Sequence, residues 1–513
     1  MHNLSGNKEE LAKRVAEFTE EFLGIPDIPS SSKVIHDALW GTQLLYPEEV
    51  ALINTPLIQR LRRIHQTGFS FLTYPSTTHT RFEHSLGVLY QTDKLARSLS
   101  EKYPSAVTRD KIRQLRITAI LHDCSHGPFS HTSEDIYSSF PEIQECIRPH
   151  KEFESSSASE ILAHFILVSE PFKIFLENIK KKIPLEIDPH WLSEVILGRR
   201  SDLLNAHHTD IINGPFDSDK LDYIFRDGHY SGLPLGVDLD RLWYSTEIHV
   251  IEPNDLEGVR APMRRLVMSR SGINSLEQIV ASRMNLTASL YHHHKVRACD
   301  CMFKGVLLYC LDNGIPICGR KIETAADFLY FTDIGILGEA ERQSNRDVAE
   351  MLSNIVNRRL FKRALVISMN TFERPNTEAN QGSDIRYNLV HKLALAPMRE
   401  HRDVAVSIWE AAGKPGRKEE VWLDFPKEPK LRDLARTFVN VGRSNAPDFR
   451  VLADFIPIDQ WGKQYVLQKW RGHVFCRPEH VEKISKAAIG ILTEKYNITF
   501  NKYARTLANL DPL

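Results

Sequence analysis

The segment TAILHDCSHGPFSH, residues 118–131, gathers His122, Asp123, His126 and His131 within ten residues. His122 and His126 are four positions apart, so on a helix they share one face. The run IRQLRITAI before them predicts an apolar helix that delivers this face to the core. The Gly-Pro pair that follows predicts the end of that helix. Core histidines satisfied by hydrogen bonds remain the alternative for His126 or His131 taken singly.

Two other segments add ligands of the same kind. THTRFEHSLGVLY, residues 78–90, contains His84, and DSDKLDYIFRDGHYSG, residues 217–232, contains Asp219. Two imidazoles and two carboxylates form a suitable first shell for a divalent cation, because nitrogen holds transition ions and carboxylates tolerate Mg or Mn. The predicted metal ligands are His84, His122, Asp123 and Asp219, and the predicted cofactor is a divalent metal (Mg, Mn or Fe).

Composition excludes several other classes. Apolar residues make up 42% of the 513 positions and charged residues 26%, with a formal net charge of -1. This balance gives no overall basic field, so nucleic acid is not expected as the main partner. The seven cysteines have neither disulfide-framework nor zinc-site spacing, which favours reduced thiols. We expect a cytoplasmic protein with no membrane partner, because no apolar run of about 18 residues is present.

The three histidine and aspartate segments resemble a known family. RFEHSLGV, LHDxxHGPFSH and DxDKLDYxxRD are similar to the signatures of HD-domain phosphohydrolases, in the version of the deoxynucleoside triphosphate (dNTP) triphosphohydrolases. That family includes bacterial dGTPases and the animal dNTPase with a sterile-alpha-motif domain. The resemblance runs from about Lys33 to about Lys362. It implies a mainly α fold with an HD-domain helical core. The strand and helix patterns beyond that stretch predict a smaller appended α+β C-terminal region.

The expected organisation has three parts. Residues 1–32 predict an amphipathic helix, capped by Ser5 or by Asn7 with Glu10, and a linker. Residues 33–369 are the predicted HD phosphohydrolase core, and residues 370–513 the predicted accessory region. In the latter, the runs DVAVSIWEA, RVLADFIPI, QYVLQKW and HVFCR suggest strands, and PEHVEKISKAAIGILTEKY suggests a last helix that Pro478 begins.

The resemblance also implies a reaction. Attack of water at the α-phosphorus of a dNTP would release inorganic triphosphate and leave a deoxynucleoside. His126 is the first choice as catalytic histidine and His131 a phosphate contact, and either has the ordinary pKa to protonate the leaving 5′-oxygen. Glu134 is expected to orient the histidine.

Substrate contacts are implied as well. Arg81 and Lys220 would hold the triphosphate, and the register of Arg283 leaves it a further candidate. Tyr223 would flank the sugar, while Asp227 and Gln66 would bind the 3′-hydroxyl. In LYHHHKV, successive histidines diverge by about 100° on a helix, so they do not chelate one ion. The implied substrate-binding set is Gln66, Arg81, Lys220, Tyr223, Asp227, Tyr291, His294 and Lys295.

Regulation is a further expectation. Oligomeric relatives bind effector nucleotides between subunits, so a nucleotide effector and a homo-oligomer, dimer or tetramer, are implied. Asn54 and His36 depart from the family's Asp and Asn, which makes a different activating base an open alternative. The implied effector contacts are Lys33, Val34, Gln59, Arg62, Arg358 and Lys362.

Two other functions stay open at this stage. One is an HD phosphohydrolase that acts on another nucleotide or on a nucleic-acid end. The other is a non-catalytic nucleotide sensor that signals through residues 370–513. Arg81 with Lys220 favours the triphosphate substrate, since a diester needs fewer phosphate contacts. The implied cellular role is control of the dNTP pool or antiviral dNTP depletion.

Overall fold

The structure, a computed structural model, describes residues 7–148, 153–154, 156–256, 259–373, 389–429, 431–443 and 446–507. Helices hold 59% of the residues and strands 11%. The expectation of a mainly α fold with a smaller sheet-containing C-terminal region is therefore confirmed.

The helices form most of the core. In chain order they are α1 (Lys8–Leu23), α2 (Pro47–Ile53), α3 (Pro56–Gln59), α4 (Arg81–Lys102), α5 (Arg109–Leu121), α6 (His131–Tyr137), α7 (Pro141–Ile147), α8 (Ala158–Val168), α9 (Glu170–Lys180), α10 (Pro189–Ile196), α11 (Ala206–Ile212), α12 (Ser218–Ser231), α13 (Leu239–Ser245), α14 (Ile273–Leu286), α15 (His294–Asn313), α16 (Asp333–Leu337), α17 (Glu339–Arg342), α18 (Arg346–Val356), α19 (Met398–Ala411), α20 (Arg432–Ala435), α21 (Ile458–Gln468), α22 (Val481–Tyr496) and α23 (Lys502–Leu507). Residues 389–395 are helical as well.

Short helical turns connect them. The 3₁₀ turns are Arg60–Arg63, Gly68–Leu72, Leu203–Asn205, Arg270–Gly272, Ala325–Tyr330, Lys418–Glu420, Leu452–Asp454 and Pro478–His480, and Thr287–Tyr291 is a π turn.

Strands form three small sheets. They are β1 (Lys33–Asp37), β2 (Gly41–Leu45), β3 (Thr246–Ile251), β4 (Met263–Ser269), β5 (Lys362–Ile367), β6 (Trp422–Asp424), β7 (Phe438–Asn440), β8 (Phe449–Val451) and β9 (Gly472–Cys476). β1 and β2 form a hairpin, and the other sheets have the orders β3-β4-β7-β8 and β5-β9-β6. The β4–β7 pairing is parallel, and the remaining pairings are antiparallel.

Helix-start residues fix the helices that build the site. Thr80 and Glu83 form a capping box at α4, and the Thr108 side chain accepts from the Lys111 amide at α5. Asp217 caps α12 in the same way. α4 packs against both α5 and α12. This packing brings the three histidine and aspartate segments together.

The predicted N-terminal helix is present. Its cap is Asn7, whose side chain accepts from the Glu10 amide at 2.8 Å, while Ser5 lies outside the described residues. Leu11, Val15 and Phe18 are fully buried in the main core. Spacings of four and three residues put these side chains on one face of α1.

Two of the predicted C-terminal strands are wrong. The run DVAVSIWEA belongs to α19 and QYVLQKW to α21. In α19 the buried residues His401, Val404, Ala405 and Ile408 follow the helical spacing i, i+3, i+4, i+7. The β-branched residues in this run suggested a strand, but burial on one helical face determined the structure. RVLADFIPI is a strand only at its start, and HVFCR is a strand, β9.

The C-terminal sheets cross the predicted boundary at residue 369. β5 lies before that boundary and pairs with β9, while β7 lies after it and pairs with β4. A second apolar cluster, from Ala364 to Ala504, packs around the β5-β9-β6 sheet. The domain limits at 32 and 369 stay predictions.

The described part of the chain contains no helix long and apolar enough to cross a membrane. All seven cysteines are free thiols.

Candidate active site

The four predicted metal ligands converge on one point. His84 Nε2 lies 3.0 Å from Asp219 Oδ1, 3.5 Å from Asp123 Oδ2 and 3.3 Å from His122 Nε2. His122 Nε2 is 3.3 Å from Asp123 Oδ2 and 3.9 Å from Asp219 Oδ1. His84 and Asp123 are buried, and α4, the end of α5 and α12 supply these ligands.

Each histidine has its second nitrogen fixed. His84 Nδ1 lies 2.8 Å from Asp222 Oδ2, and His122 Nδ1 lies 2.7 Å from the Ala119 carbonyl oxygen. A ring whose Nδ1–H donates in this way presents a lone pair at Nε2, which is the nitrogen aimed into the cluster. Two oriented imidazoles and two carboxylates therefore fit a divalent cation of the Mg, Mn or Fe type.

Asp222 is itself held in place. Arg226 donates from Nε to Asp222 Oδ2 at 2.8 Å and from Nη2 to Oδ1 at 3.0 Å, and its Nη1 lies 3.0 Å from Asp37 Oδ2. Trp40 Nε1 donates to Asp222 as well. A Cβ at position 87 would lie 1.8 Å from Asp222 Oδ1, so only glycine leaves room for this carboxylate. Asp222, absent from the predicted site, thus orients His84.

Electrostatics at the cluster favour a cation. Burial lowers the pKa of His84, but Asp219 and Asp222 outweigh it and raise that pKa to about 10. Burial opposes ionisation of Asp123, yet Arg81 and His122 hold its pKa well below the ordinary value. The pKa of Asp219 is also lowered, since its bond with His84 outweighs burial. Carboxylates that favour an imidazolium favour a divalent cation for the same reason.

Replacing Asp222 with asparagine is expected to weaken Mn²⁺ binding about 10- to 100-fold, because loss of an outer-shell carboxylate lowers ligand basicity and orientation. Titration with Mn²⁺, followed by electron paramagnetic resonance, measures the change. Asp93→Asn is the matched control, since Asp93 lies on α4 and also pairs with an arginine, Arg97. Equal affinities for both variants and the wild type would contradict this role of Asp222.

Arg81 begins α4 and borders the histidine–aspartate cluster. Its Nη1 contacts Asp123 Oδ2, and its Nε donates to Ser130 Oγ at 2.8 Å. Ser130 and Phe129 both have φ of 54°, a left-handed conformation that is strained for residues other than glycine. Arg81 Nη2 is buried and has no hydrogen-bond partner among the described residues. That nitrogen is available to an anionic ligand.

His126 lies on the other side of Asp123. Its Nε2 is 3.2 Å from Asp123 Oδ1, and its Nδ1 is buried with no partner in the described chain. Burial and the neighbouring Arg81 lower the pKa of His126 to about 4. The imidazole is thus neutral at pH 7, whereas the sequence suggested an ordinary pKa. Arg60 donates to the His126 carbonyl oxygen at 2.6 Å and fixes this turn.

His131 and Glu134 form an oriented pair at the start of α6. Glu134 Oε2 lies 2.8 Å from His131 Nδ1, and Glu134 Oε1 accepts from the Ser159 amide and hydroxyl at 3.0 and 2.7 Å. Burial opposes ionisation of Glu134, but its bond with His131 lowers its pKa. The His131 side chain is 76% exposed, so a ligand can reach it. Its ring centre lies 5.2 Å from that of His126.

Asp227 forms hydrogen bonds with both Tyr291 and His79. The Tyr291 hydroxyl donates to Asp227 Oδ2 at 2.5 Å, and His79 Nε2 lies 2.8 Å from Asp227 Oδ1. Burial and Asp227 raise the pKa of Tyr291. The π turn Thr287–Tyr291 supplies this tyrosine. Gln66, the other predicted hydroxyl ligand, has a buried Oε1 with no partner among the described residues.

Two cationic groups lie near Tyr223. Burial raises its pKa, and Arg283 and Lys220 interact with it electrostatically. Lys220 Nζ lies 2.5 Å from Asp217 Oδ2 and 2.9 Å from the Gly214 carbonyl oxygen. Arg283 has a buried Nη1 that lacks a partner in the described chain. The two unpartnered guanidinium nitrogens of Arg81 and Arg283 therefore suit an anion.

Three predicted ligand contacts line a separate cavity of about 550 Å³. Lys295, Arg358 and Lys362 share it with Arg359 and Arg477. His294 begins α15 beside this cavity, and burial with Arg363 lowers its pKa to about 3.

The other predicted effector contacts lie on other segments. Lys33 and Val34 are exposed on β1, while Arg62 Nε donates to Gln59 Oε1 at 2.9 Å. The structure does not bring these four residues into the cavity.

Sequence reasoning missed Asp222, His79 and Ser159. Asp222 has a local signal, since it lies three positions after Asp219 in the same motif and thus near its helical face. His79 and Ser159 have none, because their partners, Asp227 and Glu134, are far away in the sequence.

Comparison with known proteins agrees with this geometry. The family model of the HD domain matches residues 81–196, and that of the HD associated region matches residues 257–499. Deoxynucleoside triphosphate triphosphohydrolase SAMHD1 of Bos taurus is 29% identical over 365 residues, 65% of this chain and 59% of the relative. The human protein of the same name is 28% identical over 370 residues, 64% of this chain and 54% of its own.

An uncharacterized protein of Methanocaldococcus jannaschii is 29% identical over 279 residues, 54% of this chain and 49% of its own. The chain thus spans about half the length of the curated relatives it matches. By these two family models the chain is an HD-domain protein in which an HD-associated region follows the HD domain, and His84, His122 and Asp123 of the cluster lie within the matched HD domain.

Proposed function

We propose that the protein is a metal-dependent dNTP triphosphohydrolase, which cleaves a dNTP to the deoxynucleoside and inorganic triphosphate. The observation that carries this proposal is an oriented cluster of two histidines and two aspartates together with two buried guanidinium nitrogens, of Arg81 and Arg283, that have no partner among the described residues. A triphosphate needs a cation and fixed positive groups together, and arginine matches phosphate through its fork geometry. The similarity to animal dNTP triphosphohydrolases supports the same substrate.

The four ligands would hold the metal through His84 and His122 nitrogen and Asp123 and Asp219 oxygen. A divalent ion bound there lowers the pKa of water and offsets charge on phosphate oxygens. Arg81 contacts Asp123 with one nitrogen and keeps another for a phosphate oxygen, so it ties the substrate to the cluster. Arg283, near Tyr223 and Lys220, adds a second positive group.

The leaving 5′-oxygen needs a proton, and we assign its donor to His131. A carboxylate bonded at Nδ1 stabilises the imidazolium and leaves Nε2–H free to donate. Glu134 provides that carboxylate, and His131 is exposed to a ligand. His126 is neutral at pH 7 and hydrogen-bonds Asp123, so it serves better to orient that carboxylate than to supply the proton.

Tyr223 would flank the sugar, and Asp227 with Gln66 would recognise the 3′-hydroxyl. Regulation by a nucleotide is part of the proposal. The cavity lined by Lys295, Arg358 and Lys362 collects five basic side chains against two acidic ones, Glu350 and Glu479, which suits a polyphosphate. Assembly into a dimer or tetramer, and a role in dNTP-pool control or antiviral dNTP depletion, belong to the same proposal.

The decisive test is release of inorganic triphosphate from each dNTP, alone and in mixtures, with Mg²⁺ or Mn²⁺. We expect release that Asp123→Ala eliminates, and a dNTP cleaved only in mixtures would reveal the effector. Release of monophosphate or diphosphate instead would indicate another HD phosphohydrolase reaction. Binding of dNTPs without any product, in metal-loaded protein, would overturn the proposal in favour of a nucleotide sensor.

A further inference from the structure

Helix α15 carries three charged residues along one side. Arg297, Asp300 and Lys304 are spaced by three and four positions, so they lie on one helical face. Asp300 and Lys304 are buried, and Arg297 is largely so. These three residues are called the α15 charge ladder below.

One end of the ladder contacts α6. Thr132 Oγ1 donates to Asp300 Oδ1 at 2.9 Å, and Lys304 Nζ donates to Asp135 Oδ2 at 2.7 Å. Thr132 and Asp135 directly follow His131 and Glu134 in the sequence. One side of this two-turn helix thus presents the histidine–glutamate pair, and the adjacent side is bonded to the ladder.

The other end of the ladder contacts the C-terminal sheet. Arg297 donates from Nη2 to Asp424 Oδ1 at 2.6 Å and from Nε to Oδ2 at 3.0 Å, a two-point contact with fixed geometry. Its Nη1 also lies 3.3 Å from Asp300 Oδ2. Asp424 ends β6 and is buried. A continuous series of polar contacts therefore runs from β6 through α15 to α6.

The cation-rich cavity adjoins the same elements. Lys295, in the first turn of α15, lines it, and so does Lys362, the first residue of β5. β5 pairs with β9, and β9 pairs with β6 at Asp424. A ligand in the cavity therefore touches both α15 and the sheet that holds Asp424.

Packing between α15 and its neighbours does not by itself require the buried charged side chains of the α15 charge ladder. Replacing buried ion pairs by apolar side chains of similar volume is often neutral for stability, whereas their directional bonds fix one arrangement of the elements they join. Here the elements joined are the helix with the His131–Glu134 pair and the sheet beside the cavity.

We propose that the α15 charge ladder positions α6, and with it His131 and Glu134, and that it couples their placement to the C-terminal sheet and the adjoining cavity. Thr132, Arg297, Asp300, Lys304 and Asp424 are positioning residues in this arrangement. The inference rests on the proposed function, because His131 acts there as proton donor. It gives residues beyond the HD domain a role in the catalytic step.

Thr132→Val removes only the hydroxyl that bonds Asp300, and Thr132→Ser keeps it. We expect Thr132→Val to lower kcat for triphosphate release about tenfold, because small displacements of a reacting group are costly. KM and the Mn²⁺ affinity stay unchanged, and Thr132→Ser returns kcat close to the wild-type value. Wild-type kcat in Thr132→Val, or an equal loss in Thr132→Ser, would overturn the proposal.

Asp424→Asn tests the contact between the α15 charge ladder and the C-terminal sheet. Asp448→Asn is the control, because Asp448 lies in the same region and its side chain is exposed. We expect a fall in kcat for Asp424→Asn and none for Asp448→Asn. The double variant Thr132→Val/Asp424→Asn should lose little more than either single variant, since both interrupt one path. Fully multiplicative losses would show two independent effects and contradict the coupling.

Hydrogen exchange, measured by mass spectrometry, separates this inference from the proposed function. Amides of residues 132–137 should exchange faster in Asp424→Asn and in Thr132→Val than in the wild type, whatever the substrate is. Faster exchange in a protein that releases no triphosphate would support the positioning role of the α15 charge ladder and rule out the dNTPase reaction. Unchanged exchange in both variants would reject the ladder, even with an active enzyme.

Discussion

Replacing Asp123 with asparagine is expected to lower kcat/KM for triphosphate release about 1000-fold or more, because the metal's contribution is worth several kcal/mol of transition-state stabilisation. Asp123 contacts four side chains of the site. Its Oδ2 faces His84, His122 and Arg81, and its Oδ1 faces His126.

The asparagine has nearly the same shape but no negative charge. One of its terminal atoms becomes an NH₂ donor, which cannot ligate a cation and repels Arg81. The variant should therefore lose Mn²⁺ affinity together with activity. Because Arg81 and His122 stabilise the charged Asp123 side chain, the variant should also lose some folding stability.

Titration with Mn²⁺ and a triphosphate-release assay on the same preparation measure both effects. Asp93→Asn, on α4 and away from the cluster, is the control. Full Mn²⁺ affinity in Asp123→Asn would contradict the proposed ligand set, and activity near the wild-type value would contradict the proposed reaction.

Glu134→Gln is expected to lower kcat by a factor of about 100 to 1000, within the range for loss of general acid–base assistance. The amide keeps the hydrogen-bonding shape but no longer stabilises a protonated His131. Glu134 is neither a proposed metal ligand nor a proposed substrate contact, so the Mn²⁺ affinity and KM should change little.

The pair can be tested as a unit. His131→Gln should lose about as much activity as Glu134→Gln, and the double variant should lose little more, because groups that act together are strongly non-additive. Exposed Glu482→Gln, which removes only a surface contact with Lys486, provides the control. If the double variant lost the product of the two single effects, His131 and Glu134 would act independently.

Sequence reasoning reached the cluster because its ligands come in compact motifs. His122 and Asp123 are adjacent, and Asp219 opens a helix whose later residues Tyr223 and Asp227 also approach the site. The structure brings the four predicted ligands together, while their role as ligands stays a prediction.

Sequence reasoning did not reach the groups that hold these ligands. Asp219 and Asp222 are both aspartates on one helix. Only the fold shows that Asp219 faces the cluster, whereas Asp222 contacts His84 Nδ1. The sequence alone also does not show that burial and Arg81 lower the pKa of His126 and keep its imidazole neutral. From sequence, only the ordinary histidine pKa can be assumed.

The predictions for the C-terminal region were the least accurate, because the structure there also depends on contacts between distant segments. Runs such as DVAVSIWEA contain β-branched residues that favour strands, yet they pack one face of a helix against a sheet assembled from distant segments. The bond between Arg297 and Asp424 spans 127 positions, and no local pattern predicts it.

The strand order β5-β9-β6 has a consequence for the order in which the chain folds. β9 lies in the middle of the sheet but is the last of its three strands in sequence, so the pairs that the described residues form cannot arise until Gly472–Cys476 leaves the ribosome. Domains fold as units during synthesis, and pairing across long separations is slow. The histidines and aspartates of the cluster are thus synthesised long before the sheet that supports α15 can close. A growing chain therefore contains its proposed metal ligands well before β9, the strand that completes the support for α6.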